Sequence, residues 1–246
     1  MKVADLSIEA IRDHLNAAGL LVAVGPFTVR LRAPLSGFAE GFARLYADHP
    51  VASEDLFADF HITLTPAGPL RRWWRPQVLF YLDEHAPFKP LPVAQAQAFF
   101  EWGLNWCIAN HVQEYLVVHA AVVEKGGYAA VLPGPPGSGK STLCTALTAR
   151  GWRLLSDELA LLDARTGDLV PLPRPVGLKN ASIDRAQALV TDAVLDGVAA
   201  DTRKGTVALL KPSRESVERA AEPARPAWVV IPRYGPDAGL EFSEVS

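Results

Sequence analysis

Short apolar runs that alternate with polar residues characterise the N-terminal part of the chain, and they predict strands with one buried face. Residues 20–31 alternate on both sides of a Gly-Pro pair, which predicts two strands joined by a turn. Residues 57–65 and 78–83 predict two more strands. Apolar residues at positions 38–46 recur at intervals of three and four, which predicts an amphipathic helix. We therefore expect a small α+β unit here.

A longer amphipathic segment, residues 93–111, begins directly after Pro90 and Pro92 and predicts a helix. We place a domain boundary at this point. The N-terminal α+β domain would comprise residues 1–92 and recognise an acceptor or partner, and a second domain would comprise residues 93–246. The chain stops soon after a predicted strand, without the closing helix of many α/β domains, which leaves a C-terminal truncation open.

The second half of the chain combines further strand patterns with one helical pattern. The helical run, residues 141–150, ends at Gly151, because glycine readily adopts the left-handed backbone that closes a helix. A strand pair is predicted between residues 206–210 and 228–231. The other strands are predicted at residues 115–123, 128–132, 153–155, 159–163 and 169–172.

Composition narrows the classes of protein to consider. The formal charge is -3, from 24 Lys and Arg against 27 Asp and Glu, so no bulk positive field attracts nucleic acid or an anionic membrane. The two cysteines, Cys107 and Cys144, are far apart and lack metal-binding spacing, which predicts buried thiols in a reducing compartment. The N-terminus has acidic residues where a signal peptide has an apolar run, and no transmembrane-length apolar run occurs, so we expect a cytoplasmic protein.

The strongest chemical signal is the sequence GPPGSGKST, which matches the phosphate-binding pattern G-x-x-x-x-G-K-[S/T] between a predicted strand and a predicted helix. In such loops, backbone N–H groups and the helix N-terminus bind the phosphates of a nucleoside triphosphate. The lysine contacts the β- and γ-phosphates, and the serine after it coordinates magnesium. The nucleotide-binding residues predicted here are Gly134, Pro135, Pro136, Gly137, Ser138, Gly139, Lys140, Ser141 and Thr142.

Three other polar features are candidates for chemistry. Asp157 and Glu158 interrupt an apolar strand-like run, so they either form a solvated turn or hold a metal or activate an acceptor. Alternation along a strand would send them to opposite faces, unless a bulge turns both inward. His119 lies in an apolar strand and is by itself more typical of a core histidine than of a catalyst. The polar, basic segment at residues 201–205 could bring cations to the phosphates or be a plain surface loop.

Trp73 and Trp74, which arginines flank on both sides, are open to two interpretations. They could form a partner-binding surface with cation–π contacts, or the tryptophans could pack on the core while the arginines solvate a loop. The second interpretation is the simpler one.

The order of these features resembles the catalytic domain of bacterial HPr kinase/phosphorylase. That family has a histidine on a strand about fifteen residues before the loop, and paired aspartates after it; here the equivalents are His119 and the segment RGWRLLSDELAL. The strings GLNWCIA, LPGPPGSGKSTL, RGWRLLSDE, LKNASI and KGTVA, in this order, are similar to the HPr-kinase-related kinase A group, over roughly residues 25–234.

The resemblance implies an α/β fold: a P-loop kinase core of the HPr-kinase/PEP-carboxykinase type, with a mixed sheet around the phosphate-loop helix and the small N-terminal domain beside it. It also implies transfer of the γ-phosphoryl group of ATP to a hydroxyl, a serine of a protein or peptide, with Mg²⁺. Because HPr kinases are hexameric, a homo-oligomer is left open. The N-terminal half does not resemble the sensory domain of those enzymes, so the identity of the acceptor does not transfer.

The resemblance also implies roles for single residues. Asp157 matches the base that takes the proton from the acceptor, and His119 would lie beside the phosphates. Arg203 or Lys204 matches the basic loop that stabilises the transferring group. Glu158 departs from the family's second aspartate, and it would bind magnesium directly or through water, with Ser141 and Asp157 as the other ligands.

Two other functions stay open at this point. A small-molecule kinase would have a closed polar cavity beside Asp157, whereas a protein kinase would have an open groove flanked by the N-terminal domain. A non-enzymatic module would bind a peptide and use the triphosphate only to set its conformation.

Overall fold

Helices and mixed β-sheets make up the protein, which therefore has a mixed α/β fold in the computed structural model. The structure describes residues 1–53, 55–68, 75–202, 205–235, 239 and 241–244. Trp73, Trp74, Arg203 and Lys204 lie outside these ranges, so their predicted roles are not addressed by the structure. Within these ranges, no helix combines the length and apolar character needed to cross a bilayer.

The secondary-structure elements have the following bounds. The helices are α1 (Ile8–Asn16), α2 (Phe38–Leu45), α3 (Ala96–His111), α4 (Lys140–Thr148), α5 (Ala181–Leu189) and α6 (Arg214–Glu218). The strands are β1 (Leu20–Val24), β2 (Phe27–Arg32), β3 (Phe60–Pro66), β4 (Gln77–Leu82), β5 (Leu91–Pro92), β6 (Tyr115–Lys125), β7 (Tyr128–Pro133), β8 (Arg153–Ser156), β9 (Leu159–Asp163), β10 (Leu169–Val170), β11 (Val176–Lys179), β12 (Leu195–Thr202), β13 (Gly205–Leu210) and β14 (Arg225–Val229).

The N-terminal sheet has the order β1-β2-β3-β4-β5, and its only parallel pair among the described residues is β2 with β3. The predicted strand pair at residues 20–31 is confirmed as β1 and β2, and the predicted amphipathic helix is confirmed as α2. Both elements bury their apolar residues in one core, because the strand alternation and the helical spacing each collect these residues on one face.

Helix α3 packs on this N-terminal sheet, although the boundary predicted at Pro92 would assign it to the second domain. Its buried residues Phe99, Phe100 and Leu104 join the core of the N-terminal elements. Leu161 of β9 and Leu209 of β13 belong to the same core. The N-terminal elements therefore share a continuous apolar core with the rest of the chain.

Strand β6 is the centre of the second sheet, whose order is β10-β9-β6-β7-β14. One edge of β6 pairs with β7. The other edge pairs with β9 along the first part of β6 and with β8 along the last part. Glu124 of β6 and Arg153 of β8 are cross-strand partners and form a buried ion pair with 2.5 Å between Oε2 and Nε. Arg153 also donates to the backbone carbonyls of Arg219 and Glu222, which satisfies the buried guanidinium. This pair helps to set the register of β8 on β6.

One strand pairing was predicted wrongly. The sequence predicts that residues 206–210 pair with residues 228–231, but β13 pairs with β11 and β12 in a separate three-stranded sheet. Strand β14 instead adds parallel to β7 at the edge of the second sheet. Apolar patterns identify strands but not their partners. Here β13 pairs with the preceding strand β12 and with the more distant β11, and β14 pairs with the distant β7.

His49 connects the N-terminal elements to the second half of the chain. Its side chain is 1% exposed, and its Nε2–H donates to the carbonyl of Pro173 at 3.0 Å. Burial lowers the pKa of this imidazole from 6.5 to about 4. The neutral ring is therefore strongly favoured in the folded protein.

We expect His49→Gln to reduce the loss of stability in mild acid. The unfolded chain takes up a proton near pH 6.5 and the folded protein near pH 4, so the stability contributed by neutral His49 is lost as pH falls between these values. The difference is worth about 3 kcal/mol at 1.4 kcal/mol per pKa unit. Urea unfolding at pH 7 and pH 4.5 measures it. The exposed control His85→Gln should show the wild-type change, and an unaltered pH dependence in His49→Gln would contradict the prediction.

Candidate functional site

Strand β6 brings two site segments to the same level of the sheet. On one edge, Ala120 is the partner of Pro133, the last residue of β7, and the glycine-rich loop at residues 134–139 follows directly. On the other edge, His119 is the partner of Leu159, the first residue of β9. Neighbouring strands lie about 4.8 Å apart, so the loop and the start of β9 are separated by about two strand spacings.

The backbone of the glycine-rich loop requires glycine at several positions. Gly137 and Gly139 have φ angles of 85° and 98°, in the left-handed region that side chains disfavour. A Cβ on Gly134 would lie 2.8 Å from the Ser138 hydroxyl oxygen. Gly139 precedes α4, whose first-turn N–H groups have no partner within the helix and carry its partial positive charge. These features favour binding of an anion at the start of α4.

Lys140, the first residue of α4, turns its amine back into the glycine-rich loop. Its Nζ donates to the carbonyls of Gly134, at 2.5 Å, and Pro135, at 3.2 Å. The residue is 9% exposed, and burial lowers the pKa of the amine, while the carboxylate of Asp157 opposes that shift. A cation therefore lies within the loop, as the sequence pattern predicts.

Asp157 and Glu158 occupy the two-residue interruption between β8 and β9. The residues on either side of the interruption pair antiparallel with β6, with Ser156 opposite Val122 and Leu159 opposite His119, and the register of β8 shifts between Val122 and Val123. The two carboxylates therefore lie opposite the alanines at positions 120 and 121, but outside the strand pairing. Both line the same small cavity. The alternative in which an irregularity turns both residues inward is thus the one that the structure supports.

The carboxylate of Asp157 is buried and incompletely hydrogen-bonded. Its Oδ2 accepts from the backbone N–H of Gly177 at 3.0 Å, whereas its Oδ1 is buried without a well-aligned partner in the described part of the chain. Burial and the neighbouring charge of Glu158 raise the pKa of Asp157 from 3.8 to about 7, although the nearby Ser141 hydroxyl favours the ionised form. Asp157 can therefore gain or lose a proton close to neutral pH.

Glu158 is held by residues for which sequence analysis predicts no role. Its Oε2 accepts from Nδ2 of Asn105 on α3 at 2.5 Å. The guanidinium of Arg174 donates to Oδ1 of the same amide. Asn105 lies within the GLNWCIA string, but a single polar residue on an apolar helix does not by itself identify its partner. The close packing of α3 against this region supplies that partner.

The hydrogen-bonded chain continues from Arg174 into the N-terminal elements. Arg174 forms an ion pair with Glu101 of α3, with 3.2 Å between Nη1 and Oε2, and both side chains are 7% exposed. Tyr46, just after α2, donates its hydroxyl proton to Glu101 at 2.5 Å. Burial raises the pKa of Glu101, and the charge of Arg174 opposes that change. A buried polar network thus links α2 and α3 to Glu158.

Lys179 at the end of β11 is a second cation near the site. Burial, and with it the charge of Lys179, lowers the pKa of Lys140, and the same charge favours the ionised form of Asp157. It lies within the LKNASI string, to which sequence analysis assigns no chemistry. The next residue, Asn180, accepts a hydrogen bond from the N–H of Thr206 through Oδ1 at 3.1 Å. The start of β13 therefore lies beside this end of β11.

The catalytic roles of His119 and Arg203 both stay predictions. His119 is exposed, so the interpretation of this residue as a buried core histidine is wrong. Its backbone lies between the residue that precedes the glycine-rich loop and the residue that follows Glu158 in the register of the sheet. Arg203 lies outside the described residues, and its role stays a prediction.

The prediction of buried thiols is confirmed, since Cys107 and Cys144 are both free and buried.

Comparison with family models finds no match to this chain, and comparison with curated proteins finds no significant match. The functional interpretation therefore depends on the geometry of the site and on the residue patterns of the sequence.

We expect Asp157→Asn to stabilise the fold, and more so at high pH. The folded-state pKa is raised, so the stability penalty is absent below the unfolded value of 3.8 and grows as pH rises to about 7. At 1.4 kcal/mol per pKa unit, the penalty approaches about 4 kcal/mol above pH 7. Urea unfolding at pH 5 and pH 8 measures it. The exposed control Asp192→Asn should change stability little at either pH, and an equal gain for Asp157→Asn at both would refute the assignment.

Proposed function

We propose that the protein is an ATP-dependent phosphotransferase that moves the γ-phosphoryl group to a hydroxyl, a serine of a protein or peptide, with Mg²⁺. The finer fold assignment, a P-loop kinase core of the HPr-kinase type, belongs to the same proposal, as do the division at Pro92 and a cytoplasmic location. The observation that carries it is the position of Asp157. This buried carboxylate, with a pKa near 7, lies close to Lys140 and Ser141, which follow the glycine-rich loop directly.

In this proposal the glycine-rich loop binds the triphosphate. The first-turn N–H groups of α4 and the amine of Lys140 are donors that phosphate oxygens can accept, and Lys140 exchanges its loop carbonyls for these oxygens. The positive charges of Lys140 and Lys179 offset part of the negative charge on the phosphates. Catalysis of phosphoryl transfer consists mainly of such positioning and charge stabilisation.

The carboxylates fit a magnesium ion. The unpartnered Oδ1 of Asp157, the carboxylate of Glu158 and the Ser141 hydroxyl supply oxygen ligands of the type that Mg²⁺ prefers. The described residues contain no cluster of three or more His, Cys, Asp or Glu side chains, and Mg²⁺ does not require one, because it retains waters and shares phosphate oxygens. When bound, Mg²⁺ would neutralise charge on the β- and γ-phosphates.

Asp157 would accept the proton of the acceptor hydroxyl. Asp157 would act as this base in its ionised form, which Mg²⁺ bound beside it would favour. Asn105 and Arg174 orient Glu158 and keep its carboxylate beside that of Asp157. His119 beside the phosphates, and Arg203 or Lys204 as a further cation, remain parts of the proposal that the resemblance alone supports.

The cavity beside Asp157 is polar and, as it stands, too small to hold a metabolite. The cavity beside Asp157 has a volume of about 30 Å³, enough for a water or two. It is lined by Glu101, Asn105 and Arg174, which already bond to one another. A metabolite kinase would need a larger enclosed site next to the base.

We expect Lys140→Ala to weaken ATP binding by at least tenfold, because the loop loses its buried cation and a charge-assisted bond to phosphate is worth more than about 1.4 kcal/mol. Isothermal titration calorimetry with ATP and Mg²⁺ measures the affinity. The control Lys125→Ala removes an exposed lysine from the end of β6 and should leave affinity unchanged. Equal ATP affinity in Lys140→Ala and wild type would argue against triphosphate binding by this loop.

We expect Asp157→Asn to abolish phosphoryl transfer while ATP binding survives, because the amide cannot accept the proton. The assay is incubation of protein, Mg²⁺ and γ-labelled ATP with polypeptides from the native host, followed by mass spectrometry of the labelled products. A phosphorylated serine in the wild-type reaction alone supports the assignment. Full transfer by Asp157→Asn sinks the role of this residue. Tight ATP binding without transfer to any acceptor by the wild type would instead favour a nucleotide-dependent binding module.

A further inference from the structure

The segment after β14 lies next to the glycine-rich loop. Strand β14 runs parallel to β7, with Val229 opposite Val131, and the N–H of Val230 donates to the carbonyl of Val131 at 2.8 Å. The carboxyl ends of the two strands are therefore at the same edge of the sheet. One end continues into the glycine-rich loop, and the other continues into residues 231–235. Ligands of open α/β sheets bind at the carboxyl ends of parallel strands.

Tyr234, in this segment, is adjacent to the start of α4. A Cβ built on Gly139 would lie 3.4 Å from the Cβ of Tyr234, so the two backbones are close together. The tyrosine side chain is 53% exposed. Its only described partner in the hydrogen-bond and ring contacts is Arg185 of α5, whose guanidinium carbon lies 4.7 Å from the ring centroid and whose Nη2 donates to the phenol oxygen at 2.7 Å.

This arrangement leaves an aromatic surface exposed and held in place. A tyrosine that serves only packing would be expected to bury its ring against neighbouring side chains. Here the guanidinium of Arg185 instead holds the exposed ring of Tyr234 beside the glycine-rich loop. The hydrogen bond and the cation–π contact restrict the rotation of the ring. A pre-oriented aromatic ring loses little conformational entropy when it binds a planar ligand.

We propose that Tyr234, oriented by Arg185, is the stacking platform for the nucleobase of the nucleotide whose phosphates bind the glycine-rich loop. The proposal rests on the proposed triphosphate binding and extends it to the base. Stacking of a base on an aromatic side chain is worth about 1–3 kcal/mol and depends little on which base is present. We therefore expect binding of purine nucleotides with little discrimination between adenine and guanine by this contact.

The test compares a ligand that has a base with one that does not. Titration calorimetry would measure binding of ATP and of inorganic tripolyphosphate, each with Mg²⁺, to wild type, Tyr234→Ala and Tyr234→Phe. We expect Tyr234→Ala to weaken ATP binding about tenfold, within the range expected for one stacked base, and to leave tripolyphosphate binding unchanged. Tyr234→Phe keeps the ring and should retain most of the ATP affinity.

Tyr128→Ala is the matched control, because this tyrosine is 50% exposed and lies at the opposite end of β7 from the loop. It should bind both ligands as the wild type does. Equal weakening of ATP and tripolyphosphate by Tyr234→Ala would mean that the ring supports the loop rather than the base, and it would overturn the platform while the proposed function stands. Unchanged ATP affinity would overturn the platform as well. Failure of the wild type to bind either ligand would overturn both proposals.

Discussion

The site depends on the pairing of strand β6, which has different partners along its two edges. Its register aligns the end of β7 with one edge and the interruption between β8 and β9 with the other. The glycine-rich loop and the carboxylates of Asp157 and Glu158 therefore face each other across one strand. The alanines at positions 120 and 121 are fully buried at this level, and α4 contacts the same strand. A one-residue slip of β8 and β9 would move both carboxylates away from Lys140.

The burial of Asp157 raises the pKa of its carboxyl group and lowers the stability of the fold once that group ionises. A carboxylate that is buried beside Glu158, with one oxygen unpartnered, is held near its titration point at neutral pH. The same burial opposes folding once the group ionises. In the network of Tyr46, Glu101 and Arg174 the buried carboxylate is paired with a guanidinium and a phenol, although Nε of Arg174 is buried without a hydrogen-bond partner among the described residues. The network adjoins Asn105 of α3, which donates to Glu158. The position of Glu158 therefore depends on how α3 packs in the shared core.

Local features of the site were accessible from the sequence because their physics is local. Glycines at positions 137 and 139 are needed for the backbone of the loop itself, and Lys140 follows them at the start of α4. The interruption of an apolar run likewise identified Asp157 and Glu158. Asn105 and Arg174 were missed, since a lone asparagine on a helix and an arginine after a proline carry no signal until α3 packs beside Glu158. Lys179 was missed for the same reason.

The sequence by itself determined many of the strands, helices α2, α3 and α4 and the glycine-rich loop, because hydrophobic periodicity and backbone preference act over a few residues. It did not predict α1, α5, α6, β11 or β12. Apart from the hairpin of β1 and β2, only the tertiary structure decided which strands pair, and the prediction that residues 206–210 pair with residues 228–231 was wrong for this reason. The same holds for the pKa of Asp157, which depends on burial by groups distant in the chain. The position of Tyr234 beside Gly139 follows from the parallel pairing of β14 with β7, which no local pattern encodes.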